Sequence, residues 1–92
     1  MKGGGSMKKH RYLIDSYIYC DDIKKEEKKL FLAIESYGHL HDIEIECFVN
    51  EPCDKLDVKI YTSLITDAQQ VELMKFLESK FDMNYALVKL EN

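Results

Sequence analysis

Ninety-two residues with a formal net charge of −4 and 46% hydrophobic residues give one domain with one modest core, and exclude a multidomain enzyme. One proline and four glycines, three of them in a single run, set the chain apart from disordered and collagenous compositions. No apolar run approaches the roughly 18 residues of a membrane span and the N-terminus lacks an apolar signal region, so a soluble cytoplasmic protein is expected.

The charge is uneven. Residues 1–29 hold eight Lys/Arg and five Asp/Glu, whereas residues 30–92 hold five and twelve. This field does not favour nucleic acid as a partner, and an anionic partner would have to use the N-terminal third. Twelve of the thirteen basic residues are Lys, which leaves Arg11 as the one guanidinium able to grip a phosphate or carboxylate with two bonds. Cys20, Cys47 and Cys53 are an odd number without CxxC spacing and fit reduced thiols.

Residues 1–6, MKGGGS, read as a disordered Gly/Ser linker, and residues 7–92 as a single domain. Residues 10–20 mix Tyr and Ile in alternation and predict a strand. Asp21 or Asp22 then caps a helix whose stripe is Leu30, Ile34 and Tyr37, and Gly38 is expected to end it as a left-handed cap. Residues 41–49 alternate, with Ile43, Ile45, Cys47 and Val49 on one face and Asp42, Glu44, Glu46 and Phe48 on the other, which predicts a strand with one buried side. A hairpin over 50–55, containing Pro52, leads to a third strand over 56–62. Thr66 and Gln69 form a capping box for a second helix with stripe Leu73, Met74, Leu77 and Phe81. Residues 84–90 are the last strand.

The order βαββαβ is the ferredoxin-like plan, an α+β fold in which a four-stranded antiparallel sheet of order 4-1-3-2 carries two helices on one face. The expected core is Ile14, Ile18, Leu30, Ile34, Ile45, Val58, Ile60, Leu73, Leu77, Phe81 and Val88.

Chemistry-bearing motifs are scarce, and no catalytic, cofactor or metal site is expected. His10 lies in the N-terminal approach, and His39 and His41 read as exposed turn residues. A metal site joining His41 to Cys53 fails on length, since eight strand residues separate His41 from the hairpin by roughly 26 Å. Cys20 and Cys47 read as small buried hydrophobes on strands separated by a third, too far apart for a disulfide. No serine stands in a G-x-S-x-G context, and no phosphate-binding loop occurs.

The informative feature is the sheet face turned away from the helices. Strand parity sends Leu13, Asp15, Tyr17 and Tyr19 there, with Glu44, Glu46, Phe48, Asp57, Lys59, Tyr61, Tyr85, Leu87 and Lys89. Tyr17, Tyr19 and Tyr61 are expected to cluster mid-sheet. Tyr17 or Tyr19 with Tyr61 resembles the aromatic platform of the RNA-recognition-motif family, which implies single-stranded nucleic-acid binding. The segment Leu56-Asp57-Val58-Lys59-Ile60-Tyr61 departs from that family in having no Gly, no Arg and one aromatic. Asp15, Glu44, Glu46 and Asp57 also repel phosphate. The fold order also resembles homodimeric small-molecule-sensing domains of the ACT type, but Cys20-Asp21-Asp22 lacks the glycine of their ligand loop.

The reading best matched to the residues is a non-enzymatic protein-interaction module. It would be a small acidic regulator or inhibitor, of the kind phages and mobile elements encode, acting on a protein partner or by self-association. The candidate contact residues are Leu13, Tyr17, Tyr19, Phe48, Tyr61, Tyr85 and Leu87. Leu32 joins them as an exposed anchor on the first helix, among Lys25, Lys28 and Lys29.

Overall fold

The structure, a computed structural model, describes residues 8–51 and 54–91. The linker read over residues 1–6 and the turn residues Pro52 and Cys53 lie outside the described residues. In chain order the elements are β1 (Lys9–Tyr19), α1 (Ile23–His41), β2 (Ile45–Asn50), β3 (Lys55–Thr62), β4 (Ile65–Thr66), α2 (Asp67–Lys80) and β5 (Met83–Glu91).

Helix α1 starts where the Asp22 side chain accepts the Lys25 N–H at 3.1 Å, an N-cap that satisfies one orphan donor of the first turn. Leu30, Ile34 and Tyr37 are its buried stripe. The helix does not stop at Gly38, as the sequence suggests, but continues to His41, and Asp42 takes the left-handed conformation at φ 55°. The Ile43 N–H donates to the Gly38 carbonyl at 2.9 Å, the 6→1 closure of a Schellman motif. A Cβ on Gly38 would lie 2.7 Å from the Ile43 carbonyl oxygen. The glycine is therefore required by close backbone approach and not by a positive φ. As a result β2 begins at Ile45, and residues 41–44, expected to be strand, are the helix end and a turn. His39 and His41 sit on the last helical turn, where the His41 ring lies 4.1 Å from that of Tyr37.

Helix α2 opens with the expected capping box: the Gln69 N–H donates to the Thr66 hydroxyl at 3.1 Å, and the Thr66 N–H donates to Gln69 Oε1 at 2.9 Å. Leu73 and Leu77 are buried, and Phe81 closes the stripe at the C-cap.

All strand pairs are antiparallel. The expected four strands in the order 4-1-3-2 require correction on count and path. The sheet has five strands along the path β2-β3-β1-β4, and β5 also pairs with β1. The additional strand is the two-residue β4, which pairs Ile65 with His10 and Thr66 with Lys9. Between Leu13↔Tyr61 and His10↔Ile65, three steps along β1 match four on the opposing chain. That one-residue mismatch is a bulge that interrupts β3 before it resumes as β4. Here the Tyr12 N–H finds the Thr62 hydroxyl at 3.0 Å, and that hydroxyl donates to the Ser63 carbonyl at 2.9 Å.

A second bulge lies between β1 and β5, where two steps from Asp15 to Tyr17 match three from Leu87 to Asn84. Tyr85 takes the strain with φ 56°. The buried Ser16 hydroxyl donates to the Asn84 carbonyl at 3.0 Å. Both interruptions of the β1 ladder are thus closed by a hydroxyl, as buried backbone polar groups require.

The core lies between one sheet face and both helices: Ile14, Ile18, Leu56, Val58 and Ile60 from the strands meet Leu30, Ile34, Leu73, Leu77 and Phe81. Two expected core members differ. Ile45 is only partly buried, and Val88 is exposed because no helix extends over β5 as far as the edge.

Two substitutions test these constraints. Gly38→Ala should destabilise the protein by roughly 1 to 3 kcal/mol in denaturant unfolding, although alanine is the better helix former by about 1 kcal/mol. A gain in stability would show that the Ile43 carbonyl yields. Thr62→Val should cost about 1 to 3 kcal/mol by leaving the Tyr12 N–H without its acceptor, and a neutral result would mean that another acceptor replaces it.

Candidate functional site

The sheet face away from the helices is defined by cross-strand register. Leu13 lies opposite both Tyr61 and Lys89, and Asp15 opposite both Lys59 and Leu87. Tyr17 lies opposite Asp57 and Asn84, and Tyr19 opposite Lys55. On the far strand Glu46 pairs with Tyr61, and Phe48 with Lys59. Directly opposed residues share a face, so Leu13, Tyr17, Tyr19, Phe48, Tyr61 and Leu87 all lie on the open side. Tyr85 does not follow the expected parity. The bulge places Asn84 opposite Tyr17 and leaves Tyr85, 79% exposed, as the extra residue at the strand edge.

The three tyrosines do not form one cluster. Tyr17 is four positions from Leu13, the partner of Tyr61, which is roughly 13 Å along a strand. Tyr17 and Tyr19 share Lys55, whose ammonium lies 4.1 Å and 5.8 Å from their ring centres. Tyr61 instead packs edge-to-face against Phe48 at 5.7 Å. Between the two groups stands Lys59, 3.3 Å from Asp15 and 4.0 Å from Asp57. The hydrogen bond to Asp15, with the charges of Asp15 and Asp57, raises the Lys59 pKa above its ordinary value. The Asp57 Oδ1 is shut off from water and has no hydrogen bond of its own among the described residues.

Beside the Phe48–Tyr61 pair lies an open depression of about 950 Å³, lined in part by Arg11, Glu44, Glu46, Lys59 and Glu91. Arg11 and Glu91 are cross-strand partners at its rim. Lys55 is not marked out by the sequence, and Arg11, the one guanidinium, gains its place at this rim only from its register opposite Glu91. Leu32 is exposed as expected, but it belongs to α1, in the layer opposite this face.

Cys20 and Cys47 are free, and both pack partly buried against the core. They belong to the segments of β1 and β2, which β3 separates. Burial, helped by Glu27, pushes the Cys47 thiol up to about 12, and burial is the main cause of a rise at Cys20. Such thiols are poor nucleophiles and poor metal ligands. Among the described residues no three of His, Cys, Asp and Glu gather closely enough to hold a metal ion, and no helix is long and apolar enough to cross a membrane.

The Cys47 thiol gives a direct check of this packing. At about pH 8 the native protein should be alkylated at Cys47 at least about tenfold more slowly than the urea-unfolded chain, as read by mass spectrometry. The folded state holds the proton, so this contribution to stability is intact below about 8.5, the ordinary thiol value, and is lost as pH rises toward about 12. Equal alkylation rates would place Cys47 in open solvent.

No protein-family model matches the chain, and no curated protein matches it. Among solved structures, a de novo designed protein called Ferredog-Diesel superposes with a TM-score of 0.65 over 100% of this chain and 94% of its own, at 12% sequence identity. The likeness is one of fold: a small α+β domain with two helices on an antiparallel sheet.

Proposed function

We propose that this is a non-enzymatic interaction module on a ferredoxin-like plan, a small acidic regulator or inhibitor that docks on a protein through the open sheet face. One observation carries the reading: the Phe48–Tyr61 pair, with Phe48 54% exposed, borders a depression whose rim carries charges of both signs. Aromatic anchors within a charged rim are the make-up of protein-interface hot spots. The anchors are Leu13, Phe48, Tyr61 and Leu87, with Tyr17 and Tyr19 forming a second contact around Lys55. Glu44 and Glu46 favour a partner with basic side chains at this corner.

Nucleic-acid binding is the weaker reading on this geometry. The Lys59–Asp15 pair interrupts any aromatic platform between Tyr17 and Tyr61, and the acids beside it repel phosphate. Small-molecule sensing is weaker still, because the depression is wide and open.

The test is affinity capture from the native host with wild type and with a Phe48→Ser, Tyr61→Ser double variant, followed by mass spectrometry. Both side chains point away from the core, so the variant should keep the wild-type fold while the complex weakens by several kcal/mol, about a hundredfold or more. Leu32→Glu, on the opposite layer, should leave that partner bound. Retention of every partner by the double variant, or tight binding of single-stranded RNA at physiological salt, would overturn the proposal.

A further inference from the structure

Strand β5 carries its apolar residues on both faces. Leu87, opposite Asp15, lies on the open side, while Val88, opposite Ile14, and Leu90, opposite the buried Tyr12, lie on the helix side. A strand of that kind is normally flanked by neighbours and covered on both faces. In β5 it stands at the edge of the sheet: among the described residues β1 is its one neighbour, Val88 remains 40% exposed and Leu90 55%. The other edge differs. Glu44 and Glu46 in and beside β2 carry one sign of charge, and charged side chains at an edge are how natural sheets discourage edge-to-edge pairing.

From this asymmetry we infer that the β5 edge pairs antiparallel with β5 of a second copy, joining two sheets into one. A two-fold axis at Val88 keeps every pair on a common face. Val88 then meets Val88 and Ala86 meets Leu90 on the helix side, while Leu87 meets Lys89 on the open side. No like charges are directly opposed. Moving the axis to Lys89 would set lysine against lysine, which is disfavoured. The segment carries one base and one acid, Lys89 and Glu91, so two copies approach without net repulsion from this edge. The interface is isologous and closes at the dimer. Pairing buries on the order of 600 Å² per copy, at the low end for a specific contact, so a reversible, concentration-dependent dimer is expected. Both open faces lie on the same side of the joined sheet, and Leu87 of each copy sits at the seam. This inference does not depend on the partner proposed for that face.

Sedimentation of the full chain over a concentration series tests it, with backbone hydrogen exchange read at the same concentrations. The expected result is a reversible monomer–dimer equilibrium in which amides of residues 86–90 gain protection as the dimer forms and those of Ile45–Asn50 do not. Val88→Asp should weaken the dimer by about tenfold or more by opposing two carboxylates at the axis. Its far-ultraviolet spectrum should stay that of wild type, since Val88 is exposed in the monomer. A Val88→Thr variant, which keeps the strand shape, should still dimerise. A chain monomeric at every concentration up to about 1 mM, or a dimer whose newly protected amides lie in β2, overturns the inference. Retention of every partner by the Phe48→Ser, Tyr61→Ser variant, with dimerisation intact, would overturn the open-face proposal alone.

Discussion

The structure depends on keeping β1 hydrogen-bonded along both edges while both neighbours slip out of register. β1 pairs with β3 and β4 on one path and with β5 as well, and its core-side residues Ile14, Ser16 and Ile18 are almost wholly buried. A buried backbone group without a partner costs as much as a core methylene or more, so neither bulge is tolerable unless something replaces the missing ladder bond. Thr62 supplies an acceptor at one bulge and Ser16 a donor at the other. With those two hydroxyls in place, β1 stays straight enough to present Leu13, Asp15 and Tyr17 to one side and the core residues to the other. The open face is a consequence of that parity.

The surface is divided because opposite charges sit at its centre. Asp15 and Lys59 face each other in the middle of the two inner strands, and a half-exposed pair of this kind contributes only modestly to stability. The pair splits the aromatics into two groups, Tyr17 and Tyr19 around Lys55 and Phe48 against Tyr61. A ligand that needs a run of stacked rings meets an ion pair instead. A protein surface, which brings apolar and charged groups of its own, can match both halves. At the β5 edge the same alternation leaves Leu87 and Val88 on opposite faces and both uncovered.

Much of this was legible in the sequence wherever a single element decides the outcome. The stripes Leu30-Ile34-Tyr37 and Leu73-Leu77-Phe81, the Asp22 and Thr66 caps and the alternation of residues 56–62 each follow from local periodicity. What was not legible involves two elements at once. Gly38 reads as a helix terminator, yet its role is set by the carbonyl of Ile43, a contact the period of the helix does not contain. The strand pattern of residues 41–44 is overridden because the helix closes through the left-handed Asp42. Val88 has the parity of a core residue but lies beyond the reach of α2, and Tyr85 loses its parity to a bulge across from Ser16. The separation of Tyr17 from Tyr61 required the register of β1 against β3, which alternation alone leaves open by any even number of residues.

The division of the open face thus rests on register, and inter-strand proton contacts in a nuclear Overhauser map of the free protein test it most directly. The register described above requires backbone contacts from Leu13 to both Tyr61 and Lys89, from Asp15 to both Lys59 and Leu87, and from Tyr17 to Asn84 across the bulge. A map with β1 shifted by one residue against either neighbour would turn the open-face side chains into the core. A shift by two against β3 would bring Tyr17 level with Lys59 and rejoin the aromatics. Either result would contradict the divided surface described above.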